Sequence, residues 1–246
     1  MRIQVLDTKE GCGRAAAGKA VEILREALRN KERARFVAAT GASQFDFLET
    51  LTSAPGIAWD RTEMFHLDEY VAMAPDHPAS FRRYLRERLI DKVHPGTVHL
   101  IDGTADAEAE CRRLSQLYDA APIDVVFCGI GENGHLAFND PPADFETDRS
   151  FIVVDLDEAC RRQQMGEGWF AELEEVPARA ITLTIPAIMR AEHVICTVPE
   201  RRKAAAVRDC LSGDASVGNM RPASILKNHQ RAWVFLDQES AALLRD

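Results

Sequence analysis

Four consecutive apolar residues, Val125–Cys128, run into the glycine-rich segment GIGENGH at residues 129–135. A strand that is apolar at every position is buried on both faces, which is typical of a central strand in a parallel sheet covered by helices. The glycines permit a tight turn or a close approach of the backbone to a ligand. We therefore predict a central strand that delivers His135 into a site. An ordinary strand-to-loop turn with a solvated histidine has the same spacing.

Strand-like and helix-like segments alternate along the rest of the chain. Apolar residues at i, i+3 and i+4 spacing predict an amphipathic helix through residues 17–28. Further helices are predicted at residues 45–51, 81–89, 104–118, 199–211, 224–226 and 239–244, and further strands at 2–7, 35–39, 62–67, 98–101, 151–154, 180–184, 194–198 and 232–236. This alternation predicts one α/β domain over residues 1–246, with a doubly wound, Rossmann-like, mostly parallel sheet and helices on both faces.

Composition excludes several classes of function. The net charge of −9 is spread along the 246 residues, which argues against nucleic acid or an anionic membrane as the main partner. No apolar run approaches the roughly 20 residues that span a bilayer, and the first residues carry no apolar signal segment. The six cysteines form no CxxC pair and have no histidine at metal-ligand spacing, so we predict no metal site and reduced thiols in a cytoplasm.

Small and polar residues follow the strand at 35–39. Thr40, Gly41, Ala42 and Ser43 lie between that strand and the next helix, where backbone N–H groups at the positive end of a helix dipole suit a phosphate. A plain turn with an N-cap explains the same residues. Lys203 is predicted in the first turn of another helix, where a cation opposes the dipole unless an anion is nearby.

Two adjacent carboxylates, Asp68 and Glu69, follow the strand at 62–67. Open parallel sheets place their ligand groups at the carboxyl ends of strands. A solvated turn accounts for the charges but not for the apolar run beside them.

Residues 157–176 break the alternation. They contain Arg161 and Arg162, two aromatic residues and a Gly-x-Gly sequence at 166–168. This composition predicts a mobile lid over a site, although a surface helix and loop would have a similar composition.

Several of these segments occur in the same order in glucosamine-6-phosphate deaminases (isomerases). They are TGAS at 40–43, FHLDEY at 65–70, HPASF at 77–81, GIGENGHLAFN at 129–139 and RKA at 202–204. The chain resembles that family, within the glucosamine/galactosamine-6-phosphate isomerase and 6-phosphogluconolactonase superfamily, over nearly its whole length. The resemblance implies the NagB-type form of the α/β fold.

The resemblance also implies a reaction and a role for each candidate residue. Members convert glucosamine 6-phosphate to fructose 6-phosphate and ammonia without a metal or organic cofactor. His135 would open the sugar ring, since its ordinary pKa lies near neutrality, and Asp68 would move a proton from C2 to C1. Partial burial beside Glu69 would raise the pKa of Asp68 towards the working pH. The phosphate would lie on residues 40–43 and Lys203, with Arg161 or Arg162 of the lid.

Two positions depart from the family pattern. In the best-known deaminases the position of Asn133 is an aspartate and that of Asp140 a glutamate, and both support the histidine. Asn133 can orient His135 but carries no charge, so it stabilises the imidazolium less than a carboxylate does. Asp140 keeps the charge on a shorter side chain.

Two other functions remain open at this point. Lactonases of the superfamily hydrolyse sugar-phosphate lactones, but their glycine–histidine segment typically continues differently, and LAFN at 136–139 favours the deaminase branch. Effector domains of some sugar-responsive regulators also resemble this fold, although the presence of Asp68 and His135 favours catalysis. The sequence does not decide between a gluco and a galacto substrate. A homo-oligomer is possible, and the sequence does not decide the oligomeric state either.

Overall fold

The computed structural model describes residues 1–166 and 168–245. Its strands are β1 (Arg2–Leu6), β2 (Ala34–Ala38), β3 (Thr62–His66), β4 (Asp68–Tyr70), β5 (Thr97–His99), β6 (Val125–Cys128), β7 (Phe151–Asp155), β8 (Arg179–Leu183), β9 (His193–Val198) and β10 (Ala232–Asp237). Its helices are α1 (Lys9–Asn30), α2 (Phe45–Ser53), α3 (Phe81–Leu85), α4 (Asp91–Val93), α5 (Ala107–Asp119), α6 (Glu158–Gly166), α7 (Ile185–Met189) and α8 (Ala204–Leu211). A π-helical stretch, Arg86–Ile90, joins α3 to α4.

Seven strands form a parallel sheet in the order β1-β10-β9-β6-β2-β3-β5. From β2 the chain first adds strands on one side, through β3 and β5, and then returns to place β6 and β9 on the other side. The order therefore reverses between β2 and β6. Loops diverge at such a switch point and leave a crevice outside the carboxyl ends of the strands, where ligands bind in open α/β sheets.

Both faces of the sheet are buried, as the apolar strands predict. Phe36 of β2 and Phe127 of β6 point into the hydrophobic cluster under α1 and α2, whereas Val37 and Val126 point into the cluster under α5, α7 and α8. Successive side chains alternate between these two clusters because the side-chain period of a strand is two. The predicted doubly wound fold is confirmed.

Two of the predicted strands, at 151–154 and 180–184, lie outside the parallel sheet. As β7 and β8 they form a separate antiparallel sheet with β4, in which Asp68 lies opposite Thr182. The predicted strand at 62–67 ends at His66, and the backbone N–H of Leu67 donates to the carbonyl of Ala38. Asp68 therefore belongs to a second short strand rather than to the end of the first.

The C-terminal predictions are mixed. The short helix at 224–226 lies within a longer 3₁₀ helix, Pro222–Asn228. The predicted closing helix at 239–244 is wrong, because these residues form turns that Ser240 fastens to Asp237. In the part of the chain that the structure describes, no helix combines the length and the apolar character needed to cross a membrane.

His66 ends β3 in an apolar environment. Its side chain is fully buried, and within the described residues neither ring nitrogen has a hydrogen-bond partner. Burial, and then the nearby charge of Arg82, lower the pKa of His66 to about 3. Below the ordinary pKa of histidine, 6.5, the unfolded chain takes up a proton on this side chain, whereas the folded chain does so only near pH 3. The free energy of unfolding therefore decreases as the pH falls between these two values.

We expect His66→Leu to make the protein less sensitive to acid. Replacing the imidazole should reduce the loss of unfolding free energy between pH 7 and pH 4 by roughly 3 kcal/mol, because the unfolded variant no longer gains that proton. Urea denaturation at the two pH values measures this difference. His94→Asn, at the left-handed C-cap of α4, is the matched control and should behave as wild type. Equal acid sensitivity of His66→Leu and wild type would contradict the assignment.

Candidate active site

A cavity lies at the carboxyl ends of β2, β6 and β9, beside the switch point. The structure brings six of the predicted residues into its wall: Thr40, Gly41, Ser43, Asp68, His135 and Lys203. Ala42 begins the 3₁₀ helix Ala42–Gln44 and does not contribute to the wall. Residues predicted from four distant segments thus meet at one place.

A tight turn beyond β6 positions the imidazole of His135. The backbone N–H of Gly131 donates to the carbonyl of His135 at 2.9 Å, and Gly134 adopts a left-handed φ of 87°. The imidazole lies directly against the Cα of Gly131, where an added Cβ would be 2.2 Å from Nε2 of the ring. Glycine is required at position 131 because any side chain would displace the imidazole.

The two residues expected to support the histidine do contact it. Nδ1 of His135 lies 2.9 Å from Oδ1 of Asp140, and the Asn133 amide donates to the same oxygen at 2.7 Å. The Asn133 carbonyl oxygen accepts from the backbone N–H of His135 at 3.1 Å. Asn133 therefore bridges the turn and the carboxylate, while the shorter side chain of Asp140 still reaches the ring.

Asp140 is held as a carboxylate. Burial raises its pKa, but the hydrogen bond and charge of His135, with hydrogen bonds from Asn133 and Cys160, lower the pKa of Asp140 by more, to about 2. An ionised carboxylate only accepts hydrogen bonds, so Nδ1 of His135 carries the proton. Nε2 is then the nitrogen left for chemistry in the cavity.

Asp68 enters the cavity from β4 and is 6% exposed. The Thr182 hydroxyl, opposite it on β8, accepts from the backbone N–H of Phe138 at 3.1 Å, so the same contact fixes the loop that follows His135. Glu69 takes no part in this environment. Its buried carboxylate accepts from the backbone N–H of Arg82 at 2.8 Å and the Ser80 hydroxyl at 3.0 Å, at the start of α3.

Glu69 therefore has a different role from the one expected. Burial raises its pKa, although hydrogen bonds from the first turn of α3 oppose that increase. Because neighbouring residues of a strand point to opposite faces, Glu69 anchors α3 while Asp68 faces the cavity. The expected proximity of the two carboxyl groups is not what the structure shows.

The opposite side of the cavity can hold an anion. Gly41 has a φ of 100°, which favours glycine, and its carbonyl accepts from the Tyr84 hydroxyl at 2.9 Å. Lys203 reaches the cavity from the 3₁₀ helix Arg201–Lys203 after β9 and is 5% exposed. Within residues 1–166 and 168–245, it is the only lysine or arginine in the cavity wall.

Neither predicted arginine of the 157–176 segment lines the cavity. The Arg161 guanidinium donates to the carbonyls of Val176 and Leu173, and Arg162 forms an exposed ion pair with Glu158. The wall of the cavity instead contains Gln163 and Gln164. The reason is the helical period, since residues 163 and 164 share the face of buried Cys160, whereas 161 and 162 point elsewhere.

Sequence reasoning also missed the aromatic part of the site. Phe81 and Phe138 line the cavity, and their rings stack at 6.0 Å with an interplanar angle of 8°. Tyr70 packs against both of them. Each of these residues lies in a segment already singled out, and the apolar face of the helix at 81–89 was the available signal.

The assembled groups suit proton transfer on an anionic ligand. Asp68 supplies a carboxyl group, the His135–Asp140 pair presents an imidazole nitrogen, and Lys203 supplies an amino group across the cavity. A general base or acid must lie within hydrogen-bond reach of the proton that it moves. A small ligand held by Lys203 would meet both groups.

Sequence comparison agrees with an enzyme that acts on a small anionic ligand. The model of a family described as glucosamine-6-phosphate isomerases/6-phosphogluconolactonase matches residues 7–235. Glucosamine-6-phosphate deaminase of Exiguobacterium sibiricum is 37% identical over 227 residues, which cover 90% of this chain and 85% of that protein. The corresponding protein of Bacillus cereus strain B4264 is 31% identical over 244 residues, covering 99% and 89%. The chain belongs to this isomerase and lactonase family.

Solved structures agree with the sequences. A monomeric glucosamine-6-phosphate deaminase of the NagB superfamily has a TM-score of 0.90 and 29% identity, covering 99% of this chain and all of that one (100%). A 6-phosphogluconolactonase from Thermotoga maritima has a TM-score of 0.79 at 20% identity, covering 96% and 99%. The second likeness shows the fold alone. The resemblance predicted from the sequence is confirmed.

We expect Gly131→Ala to displace the imidazole of His135 by roughly 1 Å, because packed atoms need about 3.5 Å between centres. The proton on Nδ1, hydrogen-bonded to Asp140, should lose its downfield NMR resonance in the variant. Gly18→Ala, where an added Cβ meets nothing within 4 Å, is the matched control and should keep it. An unchanged resonance in Gly131→Ala would show that the turn has room for a side chain.

Proposed function

We propose that the protein converts glucosamine 6-phosphate to fructose 6-phosphate and ammonia, and that it needs neither a metal nor an organic cofactor. The observation that carries the proposal is that Asp68, the His135–Asp140 pair and Lys203 belong to one cavity. Relatives of the chain that are named glucosamine-6-phosphate deaminase also support the proposal. The reaction requires proton transfers at neighbouring carbon and oxygen atoms of a phosphorylated sugar, and the cavity holds groups for each of them.

Ring opening is the first step. Nε2 of His135 accepts the proton of the anomeric hydroxyl and returns one to the ring oxygen, so the C1–O5 bond breaks and the aldehyde forms. Asp140 holds the imidazole in one orientation and stabilises its protonated form, since it remains a carboxylate down to about pH 2. Asn133 keeps the carboxylate in place through its amide.

Isomerisation and deamination follow. The Asp68 carboxylate removes the C2 proton and delivers it to C1. Because O1 gains a proton as the amino group loses one, the C1 aldehyde becomes a CH₂OH group and an imine forms at C2. Water adds to that imine, and ammonia leaves as the C2 carbonyl forms. The aromatic wall of Phe81 and Phe138 shields the intermediate from bulk water, which strengthens the electrostatic effect of nearby groups.

The phosphate group lies at the other end of the cavity. Backbone N–H groups of residues 40–43 and the ammonium of Lys203 bind it, because a phosphate dianion needs several donors and a compensating charge. We also propose that residues 157–176 act as a lid and that residues 1–246 form a single domain. The six buried free cysteines support a cytoplasmic location.

Direct assay tests the proposal. The purified protein is incubated with glucosamine 6-phosphate, and ammonia and fructose 6-phosphate are measured together. We expect both products in equal amounts, with activity retained after chelator treatment. Hydrolysis of 6-phosphogluconolactone without ammonia release would replace the deaminase proposal with a lactonase. Tight binding of a sugar phosphate with no turnover of either compound would indicate a sensor.

We expect Asp68→Asn to lower kcat by about 10³-fold, because an amide cannot accept the C2 proton and general-base catalysis contributes on that order. Its affinity for inorganic phosphate should stay within about twofold of wild type, since the phosphate end of the cavity is unchanged. Asp76→Asn, which removes an exposed carboxylate, is the control for the change of charge. Near-normal turnover of Asp68→Asn would remove Asp68 from the mechanism.

We expect Asn133→Asp to move the pH profile of kcat/KM. The new carboxylate would lie beside Asp140 and near His135, and a second negative charge favours the protonated imidazole. The acidic limb should therefore shift upward by about one pH unit. Asn219→Asp adds the same charge at an exposed site and should leave the profile unchanged. Coincident profiles for Asn133→Asp and wild type would show that position 133 does not influence the histidine.

A further inference from the structure

We propose that Gln163 and Gln164 of α6 bind the sugar part of the substrate, next to the atoms that react, through neutral amide N–H donors. This inference rests on the proposed function and adds the residues that recognise the carbon chain. Both glutamines line the cavity, and Gln164 is 6% exposed. Buried amide groups are rarely without hydrogen-bond partners, so the position of Gln164 in a ligand cavity points to contact with a polar ligand. Gln163 is half-buried in the same wall.

The amide of Gln163 has a fixed direction. Its Oε1 accepts from the backbone N–H of Glu132 at 3.3 Å, in the turn that carries His135. A backbone N–H can only donate, so this contact identifies the oxygen, and the NH₂ group lies on the other side of the amide. Gln163 therefore offers donors to the cavity close to the histidine.

Gln164 lies beside the carboxylate base. Its Oε1 is 2.8 Å from the Tyr70 hydroxyl, and Tyr70 is two residues after Asp68 on β4. Residues two apart on a strand share a face, so Gln164 is fastened to the side of β4 that carries Asp68. The thiol of Cys160, one turn earlier on α6, hydrogen-bonds to Asp140. These contacts of Cys160, Gln163 and Gln164 therefore go to elements that carry the proposed proton-transfer groups.

Neutral donors suit this end of the cavity. A cation beside a carboxylate favours its ionised form and makes it a weaker base, whereas an amide has little effect on the charge balance. Lys203 already supplies the positive charge for the phosphate, from the strand β9 side. We therefore assign the two amides to hydroxyl and carbonyl oxygens of the open-chain sugar, and not to the phosphate.

Calorimetry with two probes separates these assignments. The first probe is 2-amino-2-deoxyglucitol 6-phosphate, a reduced open-chain analogue that cannot be isomerised, and the second is inorganic phosphate. We expect Gln163→Ala and Gln164→Ala each to lower the affinity for the analogue by about 5- to 10-fold, because each variant loses one hydrogen bond to it. Binding of inorganic phosphate should stay within about twofold. Arg162→Gln, on the exposed side of α6, is the control and should bind both probes normally.

Gln164→Met keeps the packing of the buried side chain if Gln164→Ala destabilises the fold, and it should weaken the analogue to the same extent. Unchanged affinity for the analogue in Gln163→Ala and Gln164→Met, or an equal loss for both probes, would overturn the assignment. The wild-type assay for ammonia keeps the two proposals apart. If the glutamine variants lose affinity for the analogue only and the wild type does not release ammonia, the amide contacts are supported and the deaminase proposal is overturned. If the wild type turns over normally and the variants bind the analogue as tightly as wild type, only the amide contacts are overturned.

Discussion

One hydrogen bond connects the two segments that bring His135 and Asp68 to the cavity. The Thr182 hydroxyl accepts from the backbone N–H of Phe138, and Thr182 also lies opposite Asp68 in the small antiparallel sheet. The next residues strengthen the same connection, because the Asn139 amide donates to the carbonyl of Leu183 at 2.9 Å. The loop after His135 and the strand of Asp68 therefore share one support, β8, which fixes their separation before any ligand binds. In the proposed reaction, groups that are held in place before the substrate binds lose no further conformational entropy when the reaction occurs.

Three acidic side chains in or near the site have different environments, and each environment determines what the side chain contacts. Asp140 stays ionised because His135 and two further donors surround it, which suits a group that orients an imidazole. Glu69 accepts hydrogen bonds from the first turn of α3 and so fixes the helix that brings Phe81 to the cavity. Asp68 faces the cavity. Three carboxyl groups close in the sequence or in space thus have three separate sets of contacts.

The fold was largely predictable from the sequence, because its signals are local. Val125–Cys128 is apolar at every position, and α1 repeats with the helical period, so both could be assigned without tertiary information. The small sheet could not be predicted, since the pairing of β4 with β8 joins residues more than a hundred positions apart. The wrong closing helix at 239–244 has a different, local origin, because Ser240 bonds to Asp237 and stabilises turns that compete with a helix.

The site was predictable where a residue follows a strand and not where it depends on the phase of a helix. His135 and the residues after β2 were placed at the cavity because parallel strands end at one edge of a sheet. Asp68 reaches the same edge because β4 begins two residues after the end of β3. Arg161 and Arg162 were chosen for their charge, yet the buried face of α6 passes through Cys160 and Gln164. Residues three and four positions after a buried residue share its face, so the phase of α6 decides which side chains enter the cavity. The described cavity wall thus takes amide groups from α6 in place of the expected guanidinium groups, and Lys203 is its cation. Under the proposed function, that charge would bind the phosphate at one end, while neutral donors and a carboxylate would face the carbon chain at the other, so the two ends of the ligand would be distinguished electrostatically.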